Sequence, residues 1–329
     1  MQVTITGGGG FLGGKLARRL AESGTVGGRA ITGLTLLDLH QPPVPDASFP
    51  VRAMAGDISE PAVMRAALPA DTGVVFHLAA VVSAAAEADY DLGMRVNLDG
   101  TRAVVEACRA LSAPPRVVFT SSVASFSGGQ DAVVPAEGRQ VPANSYGAQK
   151  AMGELLLADA SRRGFLDAVS LRMPTVVVRP GRPNKAASSF VSGILREPML
   201  GLPSSLPVAE EFALWICSPR RAVDWLLHAA SLDTAPLGLD RAVNPPGLRA
   251  TVAEMLRALE LVGGPEARAL VRPQPDPTVE RIVSGWPAAF DPEPALRLGF
   301  APEGGMEAIL RAFVAEDLEP TRAMLRGGT

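Results

Sequence analysis

The sequence predicts an α/β fold, a doubly wound parallel sheet with a smaller, discontinuous C-terminal lobe. Three observations predict it. Short β-branched runs alternate with helical patterns through the first half of the chain, the pattern of βαβ units in a parallel sheet. A glycine-rich turn at residues 7–13 joins the first strand to the first helix. Beyond Val178 the alternation gives way to proline- and glycine-rich text, as in 179–184 and 201–207, which marks the end of the sheet.

Taken in order, 2–6 reads as a strand, 11–23 as an amphipathic helix, 34–38 as a strand, 61–68 as a helix and 74–78 as a strand. A long helix is expected from about 87 to 111, then a strand over 116–121, a helix opening near Ser145 and a strand over 168–172. Residues 41–50 and 129–143 read as surface loops. Later, 219–231, 252–261 and 306–325 look helical, with a short strand at 241–244. The first domain is therefore expected over 1–178 with 219–245 returning to it, and the lobe over 179–218 and 246–329.

Composition narrows the class. The 329 residues are 47% hydrophobic and 20% charged, a globular profile with ample apolar side chain for a large core. A formal charge of −3 offers no basic field for nucleic acid or anionic lipid, so neither nucleic acid nor membrane is an expected partner. Cys108 and Cys217 have no metal or disulfide spacing and sit in apolar stretches, which suits reduced, buried thiols. His40, His77 and His228 show no metal-ligand spacing, and no metal is expected. No basic leader with an apolar core precedes Gln2 and no long apolar run follows, so a cytoplasmic location is expected.

Gly7, Gly10 and Gly13 stand where a strand enters a helix, with Phe11 and Leu12 between the last two. Gly7 allows a tight turn, Gly10 lets backbone approach a pyrophosphate, and Gly13 permits close helix–strand packing. The helix N-terminus adds amide donors and a favourable dipole, which makes this a Rossmann-type dinucleotide site. Asp38 ends the next strand, where a carboxylate accepts both ribose hydroxyls of the adenosine half and repels a 2′-phosphate. No Arg or Lys immediately follows it, so the expected cofactor is NAD rather than NADP.

Tyr146 and Lys150 lie four apart near a helix start and face the same way. An ammonium at that spacing is expected to draw the phenol down toward the range useful for proton transfer. Ser122 closes a strand whose C-terminal end is a ligand-binding edge in open α/β sheets, placed to hydrogen-bond a reacting oxygen.

With these residues in this order, the chain resembles the extended short-chain dehydrogenase/reductase family over residues 1 to about 180. The resemblance implies further roles: Asp57 and Ile58 against adenine; Leu78, Ala79, Ala80 and Asn97 along the cofactor; Thr175 and Val176 at the nicotinamide carboxamide; Tyr146 and Lys150 on its ribose. It implies catalysis by Ser122, Tyr146 and Lys150, and a homodimer formed by helices near 87–111 and 145–163 packing on their copies as a four-helix contact. Most such members act on nucleotide sugars, but 212–221 lacks their nucleotide-gripping text. Arg179, Arg182, Asn184 and Lys185 instead gather cations and an amide suited to a small carboxylate. This segment resembles that of a member oxidising the C2 hydroxyl of a small sugar acid, with Ser83, Ser122, Tyr146, Arg179, Asn184 and Lys185 as substrate contacts. The alternatives are a nucleotide-sugar epimerase or dehydratase and a non-catalytic NAD-sensing regulator.

Overall fold

The structure, a computed structural model, describes residues 1–129, 131–181 and 189–326. In chain order, β1 (Gln2–Thr6) leads through the glycine turn into α1 (Phe11–Ser23). A small ribbon of β2 (Thr25–Val26) and β3 (Arg29–Ala30) precedes β4 (Gly33–Asp38), β5 (Val51–Ala55), α2 (Pro61–Ala67) and β6 (Thr72–His77). Next come α3 (Ser83–Ala88), α4 (Tyr90–Gly93), a π-helical turn at Met94–Asp99 and α5 (Gly100–Arg109). β7 (Arg116–Ser122), α6 (Ser145–Arg162), β8 (Asp167–Met173) and β9 (Thr175–Val176) follow. The remainder holds α7 (Ser189–Met199), β10 (Ser204–Leu206), β11 (Ala213–Cys217), α8 (Pro219–Ser231), β12 (Ala242–Val243), β13 (Leu248–Thr251), α9 (Val252–Ala269) and β14 (Val271–Pro273). Four helices close the chain, α10 (Pro277–Val283), α11 (Glu293–Arg297), α12 (Met306–Glu316) and α13 (Leu318–Arg326).

The main sheet is parallel throughout, in the order β12-β8-β7-β6-β1-β4-β5. Its central strands are buried on both faces, which is why they are written as continuous apolar runs: Val3, Ile5, Val75, Phe76, Val117 and Val118 are all fully inaccessible. Because the strands are parallel, their C-terminal ends share one edge. The chain order reverses between β1 and β6, so the glycine turn after β1 and the loop after β6 flank the switch point.

The chain divides into two compact units. One holds Met1–Ser125, Gln140–Met173 and Val223–Pro245; the other holds Phe126–Arg139, Pro174–Ala222 and Pro246–Thr329. Residues 126–139, 174–178 and 219–222, expected with the sheet, thus fall in the second unit. That unit is built on β11, antiparallel to β13 and parallel to β9, over a core that includes Ile194, Ile216, Leu256, Leu310 and Phe313.

Three expected helices differ. The single helix expected over 87–111 is broken: Asp89 leaves the helical region and caps α4 by accepting from Leu92 N–H at 2.9 Å, and the π-helical turn then intervenes before α5. α9 runs past 261 to Ala269 with a break at Gly264, whose φ of 82° lies in the left-handed region. The helix expected over 306–325 is two helices meeting at Asp317.

The glycine turn is sterically determined. Gly7 has φ 76°, and a methyl group on Gly13 would lie 2.1 Å from the Gly7 carbonyl oxygen. Gly13→Ala is therefore expected to push α1 off β1 and to lower unfolding free energy by about 1–3 kcal/mol, read by urea denaturation. An unchanged midpoint would show that the turn yields without cost.

Candidate active site

At the sheet edge the Gly7 and Gly8 amides donate to Leu37 O at 2.8 and 3.1 Å, so the turn is hung from β4. Gly9 N–H donates to Asp38 Oδ2 at 2.9 Å, and Leu39 N–H to Oδ1 at 2.7 Å. These bonds fix the carboxylate on the rim of the turn. Gly10 precedes α1 without a side-chain cap, and no acid occupies the first turn of the helix. An uncapped helix start, glycines that a Cβ would obstruct and a fixed carboxylate fit a dinucleotide. Phe11 and Leu12 in the first turn are half-buried.

Of the other expected cofactor residues, Asp57 accepts from the backbone and hydroxyl of Ser59 at 2.9 and 2.8 Å, and Ile58 is buried against Gly100. Leu78, Ala79 and Ala80 form the half-buried loop after β6, and Ser83 opens α3. Leu78 N–H donates to Thr6 O at 3.1 Å, which ties that loop to β1. Thr175 and Val176 form β9 in the second unit. Arg179 is half-buried there; Arg196 Nη1 donates to its carbonyl at 2.8 Å, and burial, then the charge of Arg196, lower its pKa. Arg182, Asn184 and Lys185 lie outside the described residues.

The three expected catalytic side chains come together. Asn144 caps α6 by accepting from Gly147 N–H at 2.8 Å, which sets Tyr146 in the first helical turn. The Ser122 hydroxyl lies close enough to the Tyr146 phenol to favour its ionised form. Lys150 Nζ donates to Thr120 O at 2.7 Å and lies 4.6 Å from the Phe119 ring centroid and 5.6 Å from that of Tyr146. The protonation balance differs from expectation. Burial pushes the Tyr146 phenol up to about 12, against the Ser122 hydroxyl, and pulls the Lys150 ammonium down to about 7, against the charge of Glu154. Desolvation outweighs the cation's pull on the phenol because both groups leave water together.

Asn97, expected along the cofactor, has another task. It is buried, and its carboxamide clasps the backbone of Val81, accepting from N–H at 2.8 Å and donating to O at 3.0 Å. Its second N–H donates to Gln149 Oε1 at 2.8 Å, so both of its donors are engaged within the protein.

Two features had no clear mark in the sequence. Glu154 is 5% exposed and accepts from Ser121, from Gln140 at 3.1 Å and from Arg172 at 2.9 and 3.0 Å. The available signal was an acid four residues after Lys150 on the same helix face. His77 is buried and stacks on Phe119 at 5.3 Å between centroids. The Thr101 hydroxyl donates to Asn97 O at 2.6 Å, so it accepts from His77 Nε2 at 3.0 Å, and Nδ1 accepts from Thr6 at 2.8 Å.

A family model described as the NAD dependent epimerase/dehydratase family matches residues 3–211. The chain belongs to that family. Its cofactor is NAD. A protein of Cupriavidus necator named D-erythronate dehydrogenase is 52% identical, covering 96% of this chain and 98% of its own. One of the same name from Haemophilus influenzae is 39% identical, covering 97% and 100%. A solved structure titled a nucleoside-diphosphate-sugar epimerase from Agrobacterium tumefaciens has a TM-score of 0.93 at 43% identity, covering 98% of this chain and 96% of that one. The family's glycine turn, Ser122, Tyr146 and Lys150 all lie within the matched span.

The neutral histidine gives a pH prediction. Burial, then the charge of Lys150, lower the His77 pKa to about 3, so between 6.5 and 3 the unfolded chain binds a proton that the folded one refuses. This contribution is intact above pH 6.5 and is lost as pH falls through that window. From pH 6.5 to 4.5, wild-type unfolding free energy should fall more steeply than that of His77→Asn, by up to about 1.4 kcal/mol per pH unit. Parallel slopes in urea titrations would show that His77 protonates in the folded state.

Proposed function

We propose that the chain oxidises the C2 hydroxyl of D-erythronate to 2-dehydro-D-erythronate with NAD. The observation that carries the reading is the Ser122–Tyr146 hydroxyl pair beside Lys150, in a chain similar over nearly its whole length to two proteins named D-erythronate dehydrogenase. Backbone amides at the start of α1, at Phe11 and Leu12, would hold the pyrophosphate, with Gly7, Gly10 and Gly13 leaving it room to approach, and Asp38 would hold the adenosine ribose. When bound, NAD supplies the hydride acceptor. Ser122 donates to the reacting oxygen, Tyr146 takes the hydroxyl proton, and Lys150 holds the ribose and offsets charge on the phenol oxygen. The acid is small and anionic, which suits a chain whose 212–221 text lacks a nucleotide grip.

A second reading, a nucleotide-sugar epimerase, is favoured by the name of the Agrobacterium tumefaciens structure. Offering purified protein NAD with D-erythronate, and separately UDP-sugars, discriminates the two. Reduced nicotinamide should accumulate with the acid alone; turnover of a UDP-sugar without net reduction would replace the dehydrogenase reading by the epimerase one.

We also place the protein in the cytoplasm as a homodimer. No helix among the described residues is long and apolar enough to cross a membrane, and both cysteines are free and buried, as a reducing setting allows. Leu155 on α6 is 70% exposed, an apolar side chain on the face expected to meet a second copy. Light scattering at micromolar concentration should give twice the chain mass, and a monomeric mass removes the dimer.

Two substitutions test the chemistry. Tyr146→Phe should lower kcat by about 10²–10⁴-fold while calorimetric NAD affinity stays near wild type, since the hydroxyl does the proton work. Asp38→Ala should weaken NAD and narrow its advantage over NADP, because the carboxylate held by Gly9 and Leu39 is gone. An unchanged NAD-to-NADP ratio would contradict the ribose assignment.

A further inference from the structure

We infer that Gln149 is a positioning residue whose buried carboxamide ties the helix bearing Tyr146 and Lys150 to the loop that follows β6. Gln149 stands between those two residues on α6 and is 1% exposed. Its orientation is forced. Val81 presents a donor and an acceptor to Asn97, so Asn97 Oδ1 must face Val81 N–H, and Nδ2 must face Val81 O and Gln149. Gln149 can meet a donor only with its oxygen. Its Nε2 is then left without a partner among the described residues, in a space kept open by Gly93, where a Cβ would lie 2.5 Å from that nitrogen.

A buried amide group left unpaired is costly, and an apolar side chain of similar volume at 149 would avoid the cost. What such a side chain lacks is an acceptor for Asn97. Asn97 itself is gripped at its carbonyl by Thr101, whose hydroxyl also binds His77. The chain of bonds therefore runs from the end of β6 through the π-helical turn to α6, and Gln149 is its last link. If α6 shifts, the loop at 78–82 shifts with it, so the proton-transfer pair and a wall expected to line the cofactor keep one register.

The test is Gln149→Met, which keeps volume and removes the acceptor. In the full chain, hydrogen–deuterium exchange at the Val81 amide should quicken about tenfold, and the calorimetric Kd for NAD should rise by a similar factor. Amides of β1 and β7 should exchange as in wild type. In an Asn97→Ala background, Gln149→Met should add nothing further, because the link is already cut. Gln149→Glu, which still offers an oxygen to Asn97, should restore slow exchange at Val81. The inference is overturned by unchanged exchange at Val81, by uniform quickening across β1 and β7, by losses that multiply in the double variant, or by equal loosening in the Glu and Met variants. None of these readings needs a substrate. A wild-type protein inactive on D-erythronate would refute the proposed reaction and leave this test standing.

Discussion

The Glu154 carboxylate is the interaction on which the geometry of the candidate site depends. Three separate stretches of chain donate to it: Ser121 at the end of β7, Gln140 where the chain returns from the second unit, and Arg172 in β8. Gln140 also donates to Ser125 at 2.9 Å, and Ser125 donates to Ser122 O at 2.9 Å, so the same carboxylate steadies the backbone of Ser122 through two further bonds. A buried ion pair is poor evidence of net stability, since desolvation cancels much of the attraction. Its effect here is one of placement. Removing either partner would leave a charge stranded in a dry interior at a cost of about 3–5 kcal/mol, so β7, β8 and α6 have one arrangement in which both charges are satisfied.

Neutral groups carry the contacts of Lys150 further into the sheet. The ammonium rests on the Phe119 ring, Phe119 stacks on His77, and His77 bridges Thr6 in β1 and Thr101 in α5. A protonated His77 would set a second positive charge close to Lys150, and burial prevents it. Lys150 thus has an acid four residues further along α6 and an uncharged imidazole stacked on the ring it rests on. The Glu154 charge favours the ammonium, against the burial that lowers its pKa.

How much of this was legible in the sequence follows from where each signal resides. β1, β4, β6, β7 and β8 were readable because strands buried on both faces must be apolar throughout. β5 escaped because it is the edge strand, paired only with β4, and its half-exposed VRAMA text carries no run or alternation. The two residues of β9 and three of β10 are strands only by virtue of partners far along the chain, so local text cannot mark them. In the 83–109 region every segment is helical, and local periodicity does not tell an α-turn from a π-turn; the break at Asp89 rests on its cap to Leu92. In the site, Ser122, Tyr146 and Lys150 stood out by residue type and spacing. Glu154, Gln140 and Gln149 act through partners distant in sequence, and common polar residues on a helix or loop carry no mark of that.

The protonation of Tyr146 and Lys150 follows from their burial. Burial holds the phenol protonated at neutral pH and brings the Lys150 ammonium down to about 7. Both shifts come first from desolvation, and a site poor in water is also one where an added charge acts strongly, because the same low dielectric that penalises a lone ion amplifies its attraction to a counter-ion. A positive charge arriving near Tyr146 favours phenolate, and phenolate in turn favours the Lys150 ammonium 5.6 Å from its ring. The two titrations are coupled, and each group's charged form stabilises the other's. A polar, wetter pocket would have given a lower phenol pKa at rest and a weaker response to the ligand. The burial that holds the phenol protonated is therefore also what makes its proton sensitive to a positive charge placed beside it.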